Sequence, residues 1–401
     1  MKRKRLLLLG IGVCFLVGLV LVGMYGKNKH SYELLIDQAT EVPKWEADPR
    51  PLQSESVVIE QLKKLNRNRD NKDVDLTAAK FVVIPGLRGA WSVNHKTKKA
   101  AFGTGWVPQG LTQSQDHYYV SAYDGNHQLN SLIFQIDKRS KKYVKTLILD
   151  SKAHVGGITY DDIHKRLIYS DDTSQVAGFG FIDQAVIDDY QASVVKKPIA
   201  SQKQVWKIGA RTSAITTYQN QLIVAKYGFH ANERSIVSIP LSEAGLPPKI
   251  TEKGSQLLAE VVAAAAKKEL EKVFIQALIK EGYISSFNHG WDRMQGISLA
   301  KSGMMIVSQS NGQKPGKLLI RYQVSDPNRW QKIDLTKDFT GPAAVIIPRA
   351  VEEVSINAEE TELALIFESG ARKYREGRNL LLPPNYMDRI LILPMKITDE
   401  N

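Results

Sequence analysis

Five short segments of this 401-residue chain share one pattern, and their spacing restricts the fold to a repeat architecture made of strands. They are PQGL (108–111), VGGI (155–158), TSAI (212–215), MQGI (294–297) and VEEV (351–354), with Gly110, Gly157, Ala214, Gly296 and Glu353 at the shared third position. Successive third positions are 47, 57, 82 and 57 residues apart. About ten residues after each comes a β-prone run: HYYVSAY (117–123), KRLIYS (165–170), NQLIVAKY (220–227), GMMIVSQS (303–310) and TELALIFES (361–369). Third strands are expected at SLIFQID (131–137), SIVSIPL (235–241), LLIRYQV (318–324) and RILILPM (389–395). Fourth strands are expected at YVKTLIL (143–149), KQVWKIG (203–209) and RWQKIDL (329–335). Four-stranded units at such periods indicate a β-propeller.

The last unit reaches its third strand at Met395 and then runs out of chain, while FVVI (81–84) stands alone before the first unit. Pairing the two completes the final sheet and closes the ring, which removes the open strand edges that would template aggregation. The expected fold is all-β: a propeller over residues 78–401 with five blades, six remaining open. The competing architecture is an irregular β-sandwich.

A second signal precedes the ring. Met1–Arg5 reads MKRKR, residues 6–26 carry no charge, and KNKH follows. Such a run is long enough to cross the roughly 30 Å hydrocarbon core as a helix. Its length and its Met24-Tyr25-Gly26 exit depart from the shorter apolar region and small-residue site of a cleaved signal peptide. The expectation is an uncleaved signal anchor at 1–29, a single span with the basic N-terminus cytoplasmic and the propeller outside. Residues 30–77, broken by Pro43, Pro49 and Pro51, read as a stalk, with a short helix at SVVIEQLKKLN (56–66).

Net charge is +12, and Lys2, Arg3, Lys4, Arg5, Lys27 and Lys29 supply half of it. The remainder is spread thinly, with no basic run interleaved with aromatics, so nucleic acid is not an expected partner. A mildly basic exterior suits an anionic envelope polymer, lipid headgroups or a protein partner. The single cysteine, Cys14, lies in the apolar run, so the exterior part forms no disulfide and carries no cysteine nucleophile or thiolate ligand.

The widest gap between repeats holds SQLLAEVVAAAAKKELEKVFIQALIKEG (255–282), rich in helix formers. Leu258, Val262, Leu270, Phe274 and Leu278 can share an apolar stripe. A helix or helix pair is expected within about 250–290, inserted between the third and fourth blades. Packing on the blade rim and docking of a partner are its two readings.

In a propeller, the turns leading into the innermost strands and the turns after the second strands lie on one face around the channel. That geometry gathers Gln109, His154, Arg211, Arg293, Gln295 and Glu352 from the first set, and Asp124 and Asp171 from the second, as ligand-binding candidates at the channel mouth. Glu353, Asp172, Lys226, Tyr227, His230, Gln309, Asn311 and Glu368 belong to the same turns. Each has a plainer role: the two glutamines can satisfy backbone groups of a neighbouring blade, and a lone histidine is more often a structural hydrogen-bonding residue. Glu352 and Glu353 alternate along a strand, so at most one points into the channel. Carboxylates with Asn, Gln and His suit a divalent cation such as Ca2+ in the channel, whereas Arg211 and Arg293 favour an anionic ligand. No contiguous calcium loop, G-x-S-x-G elbow, H-E-x-x-H pair, phosphate loop or dinucleotide fingerprint occurs.

PQGL, HVGGITYD (154–161) and FESGARKY (367–374) resemble the propellers of the broad NHL/YncE/SMP-30-like group, over about residues 80–395. They also resemble membrane-anchored or secreted propeller proteins of Gram-positive bacteria. The resemblance implies a propeller fold but not one activity, since the fold hosts binding proteins, lactonases and scaffolds. SMP-30-like hydrolases hold a channel metal with Glu, Asn and Asp; Glu352 or Glu353 matches the first role, and the Asn and Asp positions are not matched. The functional expectation is a binding or scaffolding module at the cell envelope. A metal-dependent lactonase or esterase at the channel mouth is the alternative, and a structural partner acting through the inserted helix is the third.

Overall fold

The computed structural model describes residues 2–67, 71, 73–172, 176–206, 212–228, 230, 233–321, 344–376 and 385–396, without the side chains of 2–9, 311 and 321. Helix α1 (Lys2–Glu33) contains the apolar run, and α2 (Glu55–Leu65) follows a connecting segment. From Gly10 onward α1 is long and apolar enough to cross a membrane, and its apolar side chains from Ile11 to Tyr25 are exposed. Strand β1 (Lys80–Val83) and a hairpin of β2 (Ala90–Val93) and β3 (Ala100–Gly103) lead into the first blade.

The blades then follow in chain order. Blade one is β4 (Trp106–Gln113), β5 (His117–Asp124), β6 (Leu132–Asp137) and β7 (Tyr143–Ile148). Blade two is β8 (Ile158–Asp161), β9 (Arg166–Ser170), β10 (Ala177–Asp183) and, after short helices α3 (Gln184–Asp189) and α4 (Ala192–Val195), β11 (Gln202–Trp206). Blade three is β12 (Ala214–Tyr218), β13 (Gln221–Lys226), β14 (Ser235–Pro240) and, after α5 (Glu252–Ala264) and α6 (Leu270–Lys280), β15 (Ser286–His289). Blade four is β16 (Met294–Leu299), β17 (Met305–Asn311), β18 (Lys314–Arg321) and β19 (Val345–Arg349). Blade five is β20 (Val351–Ile356), β21 (Glu362–Phe367) and β22 (Arg389–Pro394), and its outer strand is β1. The protein is a five-bladed β-propeller closed by its first strand, with Phe81 opposite Leu391 and Val82 opposite Ile390.

The innermost strands β4, β8, β12, β16 and β20 pack each against the next, and β20 packs against β4. That crowding explains the repeat. A Cβ on Gly110 would lie 2.4 Å from the Gly156 carbonyl oxygen, and one on Gly157 would lie 2.3 Å from Ile215 Cγ1. The third position is small because the next blade occupies the space a side chain would need. The register shifts at this point in β4, between Pro108 and Gly110, in β16, between Met294 and Gly296, and in β20, between Val351 and Val354. These bulges turn the second-position residue away from the ladder. A serine from the second strand secures them: Ser121 Oγ accepts from the Gly110 N–H and donates to the Val155 carbonyl of the next blade. Ser308 does the same between Gly296 and Glu352. The fourth-position residues Leu111, Ile158, Ile215, Ile297 and Val354 are all buried.

Two placements need correction. RWQKIDL (329–335) lies outside the described residues, and the fourth strand of blade four is β19, VIIPR. The helical insertion lies inside blade three, between β14 and β15, and not between blades three and four. β15, SFNH, is short and borders solvent, so it lacks the apolar alternation that marks an inner strand. The β2–β3 hairpin had no counterpart in the repeat pattern. The insertion is a helix pair that places Leu258 and Leu278 in a cluster with Phe179, Trp206 and Leu222, on the rim of blades two and three, while Val262 is exposed.

The segment after α1 lies on the ring. Asp48 N–H donates to Gly89 O and Trp91 N–H to Glu46 O, joining the segment to β2. Asp388 Oδ2 accepts from the backbone N–H groups of Leu52 and Gln53. Val58 and Leu62 of α2 are buried with Val345 and Ile347 of β19.

Two stability outcomes follow. Deleting residues 78–86 strips the outer strand from blade five and is expected to abolish the cooperative thermal melt of the whole ring; a melt like that of the intact chain would overturn the closure. Leu111→Ala and Ile297→Ala each remove a buried aliphatic group and are expected to cost about 2–5 kcal/mol in denaturant titrations.

Candidate functional site

Bulges in β4, β16 and β20 aim residues of those strands at the axis. The second-position residues of all five repeats, Gln109, Gly156, Ser213, Gln295 and Glu352, line one cavity of about 670 Å3 at the channel mouth. His154, Lys152, Lys203, Asp172, Tyr227, His127 and His95 complete most of its wall. A second cavity of about 300 Å3 opens at the other end, lined by the lower halves of the inner strands. The fourth-position aliphatics are part of that lower lining.

On the blade-five side Glu352, in the wall of the upper cavity, forms a carboxyl pair with Glu368. Glu352 and Glu368 hydrogen-bond to each other, and Glu368 also bonds to Tyr374. Gln109 Nε2 donates to Glu368 Oε2 at 3.2 Å and to the Pro108 carbonyl at 3.0 Å. Burial pushes the Glu352 carboxyl well above the ordinary range, and the neighbouring charges of Glu368 and Glu353 push it further. Burial also raises Glu368, against the hydrogen bonds and the Lys373 charge that lower it. Two adjacent carboxyls cannot both ionise cheaply, so the pair tends to share a proton.

Glu353 has a different job. It is 2% exposed and faces blade four, where Oε1 accepts from the N–H of Ile297 and of Val354, each at 3.0 Å. Desolvation dominates these two bonds and lifts its pKa well above the usual carboxylate value. One of the two glutamates points into the channel, as alternation along a strand requires.

Beside this pair, Tyr123 stacks on His154 with ring centroids 4.1 Å apart and planes 11° from parallel. His127 lies 5.4 Å from both rings. Lys373 Nζ donates to the Tyr123 hydroxyl and sits 4.8 Å from the Tyr374 ring centroid. The result is an aromatic shelf joined through Lys373 and Tyr374 to the carboxyl pair.

The expected site residues divide. Gln109, His154, Gln295 and Glu352 share the cavity. Arg211 lies outside the described residues. Arg293 is exposed in a left-handed turn (φ 50°) with Nε 3.7 Å from Asp292, and it is not part of the cavity lining. Asp124 is 3% exposed and accepts from the N–H groups of Asn126, Gln128 and Leu129, so it clamps its own loop. Asp171 pairs with Lys203 at 2.9 Å outside the lining, and its neighbour Asp172 lines the cavity while holding Thr212 N–H and Oγ1. Among the described residues, no group of three or more His, Cys, Asp or Glu side chains is gathered to hold a metal ion. The carboxyl pair and the stacked rings fit proton sharing and ligand contact better than a Ca2+ cage.

Sequence reasoning passed over Tyr123, His127, Lys152, Lys373, Tyr374 and His95. Tyr123 and His127 flank the YDGNH turn from which Asp124 was taken, and Lys373 and Tyr374 end FESGARKY. His95 belongs to the unforeseen hairpin, where Nδ1 lies 2.8 Å from Asn130 Oδ1.

No known family model matches the sequence, and no curated protein matches it. Among solved structures, the chain is similar to the PQQ-bound form of aldose sugar dehydrogenase from Streptomyces coelicolor, at 11% identity, TM-score 0.41, over 79% of this chain and 98% of that one. It is also similar to a gluconolactonase from Xanthomonas campestris, at 8% identity and TM-score 0.36, over 88% and 98%. The WD40 repeats of RRP9 align at 9% identity and TM-score 0.37, over 79% and 100%. These likenesses belong to the broad β-propeller group and concern the fold.

The buried glutamates set a pH dependence. Glu352, Glu353 and Glu368 have folded pKa values above the unfolded value near 4.3, so the folded state binds more protons. Their contribution is fully favourable below the unfolded value and is lost as pH rises through the folded ones. Glu353→Gln is expected to flatten this decline in denaturant titrations between about pH 4 and pH 8, each group accounting for at most about 1.4 kcal/mol per pH unit. A slope identical to that of the unaltered protein would contradict the burial argument.

Proposed function

We propose that the protein is a membrane-anchored, extracytoplasmic propeller that binds a small polar ligand at its channel mouth. The observation that carries this reading is convergence: the same repeat position in all five blades faces one cavity, and in three of them it carries Gln or Glu. Glycine and serine fill the other two positions and leave room opposite the polar groups. Ligand sites combine such a concavity with a few directed polar contacts and an apolar or aromatic surface, here the Tyr123–His154 stack. The basic flank MKRKR and the exposed apolar helix support an N-terminal anchor with the ring outside.

A second reading has its own observation. The Glu352–Glu368 pair keeps a proton beside the cavity, as a general acid in lactone or ester hydrolysis would require. The inserted helices pack against the rim, which favours a structural role for them over partner docking.

A panel of sugars, sugar acids and amino acids, screened by thermal shift on the detergent-solubilised chain, tests the binding reading. Gln109→Ala, Gln295→Ala and His154→Ala are expected to abolish the stabilisation by any hit while moving the unliganded melt little, because groups at a solvated mouth contribute little to the core. Unchanged binding in all three overturns it. Turnover of a lactone or ester that disappears in Glu352→Gln and Glu368→Gln would establish the hydrolase in its place.

A further inference from the structure

The cavity and the anchor share one face of the ring. In every blade the second strand ends, and the innermost strand begins, on the mouth side; the β5–β6 loop, the β2–β3 hairpin and the β21–β22 loop lie there. The last turn of α1 docks on that side. Tyr32 is buried, with its ring 6.3 Å from Tyr386 of the β21–β22 loop. Asp37, four residues beyond α1, accepts from Arg88 Nε at 3.0 Å and from Arg50 Nη2 at 2.9 Å, and Arg88 immediately precedes the hairpin. The same hairpin contributes His95 to the cavity wall, and the same β21–β22 loop contributes Glu368 to the carboxyl pair.

The tether between bilayer and ring is short. The uncharged run ends at Gly26 and Lys27 follows, yet Tyr32 already touches the propeller. At 1.5 Å per residue, five helical residues separate the two points by only about 7.5 Å. A ring held this close, by the loops around its mouth, cannot stand its mouth away from the membrane.

Charge on this face agrees. Lys96, Lys98 and Lys99 at the hairpin tip, with Lys152, Lys314 and Lys373, are exposed around the mouth. The exposed carboxylates on the described mouth-side loops are Glu41, Glu46, Asp150 and Glu233, and Asp150 lies 3.6 Å from Lys98. Basic side chains at a membrane surface attract anionic lipid.

Building on the binding reading, we infer that the channel mouth faces the bilayer and that its ligand is the anionic headgroup of a membrane amphiphile. The headgroup enters from the membrane plane beside the hairpin, Lys152 meets its charge, and Gln295 and Gln109 meet its hydroxyl or phosphoryl oxygens. The aliphatic tail stays in the bilayer, so the cavity need hold only the polar part.

The full chain reconstituted in nanodiscs tests both halves. With Cys14→Ser as background, fluorophores at Gln128→Cys and Lys314→Cys on the mouth side are expected to be quenched severalfold more by headgroup-nitroxide lipid than fluorophores at Arg139→Cys and Asp162→Cys on the opposite side. Equal or reversed quenching overturns the orientation. Adding phosphatidylglycerol to phosphatidylcholine discs is expected to raise the melting temperature of the unaltered chain, and Lys152→Glu with Gln295→Ala is expected to remove that rise. Free glycerol phosphate added to phosphatidylcholine discs is expected to give no comparable shift. If it matches the lipid, the ligand is soluble and the membrane half fails while the binding reading stands; if Gln109→Ala and Gln295→Ala leave every shift intact, the binding reading itself fails.

Discussion

The close approach of neighbouring innermost strands governs this protein. Five strands around a narrow axis crowd one position of each, and Gly110, Gly157 and Gly296 occupy places where a Cβ would collide with the next blade. In β4 and β16 the glycine sits in a bulge that rotates the preceding residue onto the axis. Closing the ring and building the cavity are thus one geometric event. The serines at 121 and 308 stitch the bulges of β4 and β16 to the following blade, so the polar lining there rests on hydrogen bonds buried in the blade interfaces.

Blade five breaks the rule and gains an electrostatic character. Glu353 stands where the other blades have Gly or Ala, and it is accommodated because its carboxyl reaches into blade four and takes the Ile297 N–H. The other oxygen, Oε2, is buried without a hydrogen-bond partner, which favours a protonated group at that site. With Glu352 and Glu368 beside it, one side of the mouth concentrates carboxyl groups whose burial favours their neutral forms. The adjoining wall, from blade one and the loop that follows it, is aromatic and imidazole-rich. The cavity thus presents two chemically distinct walls, one carboxyl-rich and one aromatic.

The repeat was legible in sequence because steric need at the inner strand selects residue type directly: Gly or Ala at the third position and an aliphatic at the fourth. Ring closure was legible for a related reason, since FVVI had no partner of its own and the last blade lacked a strand. Outer strands carry no such demand; β15 is a four-residue strand at a sheet edge, and its sequence SFNH does not announce it. Within the site, residues projecting from bulges were found by position alone, whereas Asp124 was misplaced because a carboxylate at a turn serves the turn's own N–H groups as readily as a ligand. Tyr123 ends a strand of blade one and Lys373 lies in a loop of blade five, and only the folded ring brings the Lys373 ammonium to the Tyr123 hydroxyl.

The β21–β22 loop ties these features together. Its first residues hold Glu368 and Tyr374 in the mouth, and its last hold Tyr386 against Tyr32 and Asp388 against the backbone of Leu52 and Gln53. Arg389, which opens the strand that β1 closes upon, donates to Asp388 Oδ1 and to the Gln53 carbonyl. The N-terminal segment and the closing strand pair meet at Tyr386 to Arg389, and the Met387 N–H donates to Ser369 Oγ next to Glu368. A displacement of the N-terminal segment relative to the ring must disturb the closing hydrogen bonds or move Glu368, and the buried Asp388–Arg389 pair makes the first costly. The site's position relative to the N-terminal helix is thus set by the same residues that keep the ring shut.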